Sequence, residues 1–175
     1  MKLNYREPLP DDGRRIHQMV LESGTLDVNS AYLYFLLADH FRKTVVLAES
    51  PAGDLGGFVT AYRPPQAPQT LFIWQVAVAA ELRGRGIASR LLENLMQRPF
   101  FADIQRIELT ISPDNLASLR LFERLARDLR RPLQHTPYLS AAQLGGTHAA
   151  EDLYCINLTT EIQNEAIKPK ENPAT

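Results

Sequence analysis

The chain contains one cysteine, one tryptophan and three methionines in 175 residues. A lone cysteine closes no internal disulfide, and a reducing compartment is the expectation that follows. Neither sign of charge dominates, since 19 Lys plus Arg stand against 20 Asp plus Glu and leave a net charge of -1. Without a global positive field, neither a nucleic acid nor a membrane surface is an expected partner. No apolar run approaches the roughly 20 residues that cross a bilayer. The opening MKLNYREPLPDD carries no apolar core of a signal peptide. A cytoplasmic protein is expected. Internal repeats and low-complexity blocks are also missing.

What is present is the balance of a globular domain, 45% hydrophobic and 22% charged. Residues 2–7 suit a short strand. Asp11, Asp12 and Gly13 open a helix with Ile16, Met19 and Val20 on one face and Gly24 as its stop. A second helix starts at Asn29 or Ser30 and runs to His40. Strands are expected at 44–49, 57–62 and 71–79, with a hairpin turn between the first two. Prolines 64, 65 and 68 make 63–69 a loop. A helix at 87–98, a strand at 106–112, a helix at 115–129 and a strand at 152–158 complete the pattern. The order β-αα-βββ-α-β-α-ββ implies a mixed α/β fold, with a mixed sheet and helices on both faces. The domain is expected over 1–158, with 159–175 as a flexible polar tail.

The most informative stretch is Arg83-Gly84-Arg85-Gly86-Ile87-Ala88-Ser89, which follows a strand and opens a helix. Glycines let the backbone approach a ligand, and helix N-terminal N–H groups suit an anionic phosphate. Arg83 and Arg85 add charge-assisted bonds to such an anion. A Gly-capped surface turn with two arginines has the same spacing. A Walker A loop is excluded, because Ile87 and Ala88 stand where Lys and Ser/Thr are required. A dinucleotide fingerprint gains support from Ser89 and from Glu108 about 20 residues on. Against it, residues 79–83 separate strand from turn, and Glu108 lies within a strand rather than at its end.

Residues 76–88 resemble the acetyl-CoA signature of the GNAT superfamily, with Arg83, Gly86 and Ala88 on the pattern Arg-x-x-Gly-x-Ala. Residues 115–122 resemble the next signature helix, Asn-x-x-Ala-x-x-x-Tyr. Segments 6–13, 26–32, 57–65 and 72–78 resemble, more narrowly, the L-2,4-diaminobutyrate N-acetyltransferases of ectoine synthesis, over about residues 3–158 in all. The resemblance implies a central twisted sheet, acetyl-CoA as cosubstrate, no metal, L-2,4-diaminobutyrate as acceptor and a homodimer, with 154–158 at the subunit interface.

By the same resemblance, residues 83–89 hold the CoA diphosphate, and the backbone of Val76, Ala77 and Val78 pairs with pantetheine. Asn115 and Phe122 join the cofactor site. A strand amide is expected to meet the charge developing on the thioester oxygen. The acceptor must lose a proton before it attacks, and Glu108 is the candidate base or ammonium binder. Phe122 stands at the family's proton-donating Tyr. Tyr154, His148 and Tyr138 are the candidate replacements, although a thiolate as weakly basic as that of CoA can leave unaided.

For the acceptor, Asp27 can pair with an ammonium, while Asn29 and Ser30 either bind carboxylate or cap the helix. Tyr32, Tyr34 and Phe35 read as core. Trp74 is a core anchor or a wall of the acceptor site, and strand alternation places Gln75 on the opposite face. Cys155 reads as a small buried residue.

Overall fold

A computed structural model describes residues 2–24, 26–146 and 148–159. The expected tail falls outside that range apart from Thr159. The described residues form seven strands and four α-helices. Their contacts gather into two compact units, one of residues 1–65 and 72–103, the other of 66–71 and 104–175.

The first unit begins with β1 (Asn4–Arg6), α1 (Asp12–Ser23) and α2 (Ala31–Asp39). The strands β2 (Val45–Glu49), β3 (Leu55–Tyr62) and β4 (Thr70–Val78) follow, then α3 (Ile87–Met96). The first two residues of β4 are counted with the other unit. Strands β1 to β4 pair in sequence order, all antiparallel. Ile16, Met19 and Val20 of α1 and Tyr34 and Leu37 of α2 bury against Val45, Leu47, Phe58 and Ala77 of the sheet. Gly57 alternates with Phe58 and so faces the other way. A Cβ there would meet Leu91 of α3 at 3.3 Å and the Ala77 carbonyl at 2.8 Å. The missing side chain lets α3 lie close on the second face. Helices therefore cover both faces of this unit, as the element order implied.

Local chemistry sets the element ends. Gly24 ends α1 with φ 63°, Ser30 caps α2 by accepting from the Tyr32 N–H, and Gly86 opens α3 at φ 74°. Gly13 allows α1 and α2 to touch, because a Cβ there would stand 2.7 Å from the Phe35 Cα. Tyr34 is fully buried. Tyr32 and Phe35 instead remain 69% and 37% exposed, contrary to the reading of all three as core. The Phe35 ring lies against Gly13 of α1.

An ion network joins β1, α1 and β2. Arg6 bridges Asp12 at 2.6 Å and Glu49 at 2.8 Å, and Arg15 reaches the same two carboxylates at 2.6 and 2.8 Å. Burial pushes the Asp12 carboxyl up, but its bonds to Arg6, the Leu9 N–H and Arg15 outweigh this and hold it below the usual range. Hydrogen bonding to Arg6 takes Glu49 down to about 2.

The second unit contains β5 (Arg106–Ile111), α4 (Leu116–Asp128), β6 (Gln134–Leu139) and β7 (Glu151–Asn157). Strand β7 lies between β5 and β6, antiparallel to both. Strand β6 holds Pro137, which lacks an N–H and suits a strand paired on one side. Asn115 caps α4 by accepting from the Ser118 N–H at 3.1 Å. The helix ends without glycine. Arg130 takes φ 55°, its N–H bonds to the Arg127 carbonyl, and the Arg131 N–H reaches the Ala126 carbonyl.

Candidate active site

The turn after β4 has the conformation that anion binding requires. Gly84 and Gly86 both sit at φ 74°, with open space where a Cβ would project. No side chain caps α3, so the N–H groups of Ile87, Ala88 and Ser89 are left to an outside acceptor. Arg85 and Arg90 are exposed beside them. The Arg83 side chain turns back, and its Nε donates to the Val78 carbonyl at 3.2 Å. Ile87 is buried and anchors the turn from within. Val76, Ala77 and Val78 face Val59, Phe58 and Gly57 of β3 across the ladder, which makes their backbone rigid.

A bulge shapes the preceding part of β4. Gln75 stands opposite Thr60, but Ile73 stands opposite Ala61, which leaves Trp74 as the extra residue. A bulge cancels alternation, so the expectation that Gln75 and Trp74 face opposite sides fails. Both meet Tyr34. The Tyr34 ring stacks on Trp74 at 6.2 Å, and its hydroxyl donates to Gln75 Oε1 at 3.3 Å. Trp74 is half-buried against the α1–α2 core, in keeping with the anchor reading.

Asp27 is exposed in the loop before α2. Its carbonyl accepts from Gln75 Nε2 at 3.1 Å and from Asn29 Nδ2 at 3.2 Å. Asn29 thus braces the loop and Ser30 caps the helix. The capping reading holds for Ser30, while Asn29 bonds to the loop rather than to the helix.

In the second unit Glu108 is 7% exposed, with Oε1 3.1 Å from Arg106 Nε. That nitrogen lies off the hydrogen-bond direction. Tyr154 stacks on His135 at 5.3 Å. Burial, followed by Asp152 and Glu123, pushes its hydroxyl above the usual range, so it holds its proton at neutral pH. His148 is exposed in the loop before β7, and Tyr138 is half-buried on β6. Phe122 is buried on the inner face of α4, and Asn115 is the helix cap. Cys155 is fully buried, which pushes its thiol up. Cys155, Ile156 and Asn157 are buried within their own chain, so their side chains are not available to the subunit contact expected of 154–158. Sequence reasoning missed the bonds from Thr60 to Gln75 and from Gln75 to the Asp27 loop, because nothing in a linear pattern marks a bulge.

An uncapped helix N-terminus shaped by two glycines, following a paired strand, defines a protein that can hold the diphosphate of a nucleotide cofactor. The chain belongs to the acetyltransferase (GNAT) family, whose model matches residues 13–126. Its fold is the mixed α/β fold of that family. It is similar to the L-2,4-diaminobutyric acid acetyltransferase of Halomonas elongata, 48% identical over 151 residues, covering 86% of this chain and 79% of the relative. The enzyme of the same name from Vibrio cholerae is 41% identical over 155 residues, covering 88% and 89%. Among solved structures, the chain resembles the diaminobutyrate acetyltransferase of Paenibacillus lautus in complex with L-2,4-diaminobutyric acid and coenzyme A. The identity is 41% and the TM-score 0.85, over 89% of this chain and 95% of that one.

Proposed function

We propose that the protein transfers acetyl from acetyl-CoA to the γ-amino group of L-2,4-diaminobutyrate, a step of ectoine synthesis. The supporting observation is the likeness, at 41% identity and TM-score 0.85, to an enzyme solved with that amino acid and coenzyme A. The turn at 83–89 takes the diphosphate through N–H groups that have no side-chain cap. Pantetheine runs along Val76–Val78. The amine nitrogen attacks the thioester carbonyl, the C–N bond forms, the C–S bond breaks, and CoA leaves as thiolate. Asp27 pairs with an ammonium of the acceptor beside the Trp74 ring. Glu108, beside Arg106, receives the proton of the attacking amine. Tyr154, protonated at neutral pH, returns one to the thiolate. His148 and Tyr138 are the alternative donors.

No described helix is long and apolar enough to cross a membrane. A cytoplasmic homodimer belongs to the same reading and rests on the family resemblance. The test is turnover with acetyl-CoA and diaminobutyrate, with product mass and NMR assignment of the acetylated nitrogen. Acetylation at the γ position supports the reading. Transfer only to the α-amino group, or no transfer, overturns it.

A further inference from the structure

We infer that Gln75 is a positioning residue for the acceptor, fixing the Asp27 loop through a hydrogen-bond relay that starts at the Tyr34 hydroxyl. The inference rests on the reading above, in which Asp27 receives an ammonium group. Every polar group of the relay has an assigned direction. The Asp27 carbonyl can only accept, so it must face the Gln75 amide nitrogen, 3.1 Å away. That turns Gln75 Oε1 toward Tyr34, whose hydroxyl must then donate across 3.3 Å. The backbone of Gln75 is held as well. Its N–H donates to Thr60 Oγ1 at 3.2 Å, and the same hydroxyl donates to its carbonyl at 3.4 Å. One threonine hydroxyl therefore stands in for ladder bonds that the bulge at Trp74 displaces.

Tyr34 is fully buried and Gln75 is 6% exposed, yet the relay ends on an exposed loop. A buried glutamine satisfied only within the core would have a stabilising role alone. This one reaches 48 residues back along the chain to the main chain of a candidate substrate-binding residue. Tyr34 also stacks on Trp74, so one side chain sets both the aromatic wall and the loop that carries the carboxylate.

The test compares Q75E, Q75M, Y34F and D27N with the wild type. Trp74 is the sole tryptophan, and its fluorescence reports diaminobutyrate binding to the CoA-bound protein. Q75E keeps the acceptor for Tyr34 but sets an oxygen against the Asp27 carbonyl. It is expected to raise Kd and KM for diaminobutyrate about tenfold at pH near 8 and to leave KM for acetyl-CoA unchanged. At pH near 6, partial protonation of Glu at this position restores a donor, so the gap narrows; a merely structural role would not follow pH in this way. Q75M and Y34F are expected to shift the same constants less, by about two- to fivefold. D27N is expected to raise KM for diaminobutyrate. Unchanged constants in Q75E, equal shifts for both substrates, or no effect of D27N would overturn the inference. An active wild type with an unmoved Q75E overturns this inference alone. A wild type without diaminobutyrate turnover overturns the functional reading and this one with it.

Discussion

Glu108 and Tyr154 sit on neighbouring strands but on opposite faces of their sheet, because Glu108 is opposite Cys155 and Tyr154 is opposite Leu109. Cross-strand partners share a face, and successive residues alternate. The two groups therefore cannot meet one reacting atom from the same side. The amine and the sulfur share one tetrahedral carbon, so the carboxylate on one face and the phenol on the other are separate assignments, each to be tested by itself.

The two assignments give separable kinetics. E108Q is expected to lower kcat about 100-fold or more, as loss of a positioned base does. Y154F is expected to lower kcat more modestly, by about tenfold, since thiolate is a competent leaving group. Steady-state rates across pH check both. Equal effects of the two substitutions would argue against the assignment.

Gly86 takes φ 74° at the start of α3, in open space. G86A has no steric neighbour to displace, so its cost is conformational, about 1 kcal/mol in the left-handed region. The altered turn re-aims the N–H groups of 87–89. The expected result is a several-fold weaker affinity for CoA with a small loss of Tm. Calorimetric titration with CoA measures the first and thermal unfolding the second.

The Arg6–Glu49 pair predicts acid sensitivity. The folded-state pKa of Glu49 is depressed to about 2 from 4.5. Its contribution to stability is then complete above pH 4.5 and fades as pH falls toward about 2. E49Q is expected to cost about 2 kcal/mol at neutral pH and to flatten the decline in stability below pH near 5. Urea unfolding at a series of pH values provides the comparison.

Arg130 holds φ 55° at the end of α4, where an L side chain is strained. Its side chain is exposed, so removing it sacrifices no core packing. R130G is expected to stabilise the protein by about 1 kcal/mol through relief of that strain. A rise in urea midpoint with unchanged KM values checks it.

Much of the architecture was legible because it depends on local chemistry. The apolar period of α1, the glycine after it, the Ser30 and Asn115 caps and the Arg83–Ser89 turn all act within a few residues. Strand β6 had no such signal, since Gln134, His135, Thr136 and Pro137 neither alternate in hydropathy nor favour a ladder. The end of α4 was hidden for a similar reason, because an arginine occupies the place where glycine usually announces a stop.

From its linear order alone the chain declared its family, and the candidate cofactor turn and Asp27 are proposals written in consecutive residues. Tertiary structure decided which faces those residues share. The bulge at Trp74 brings Gln75 and Trp74 together on Tyr34, and the β5–β7 register separates Glu108 from Tyr154. Both outcomes follow from strand pairing, where one extra residue or a one-place shift moves a side chain to the other face.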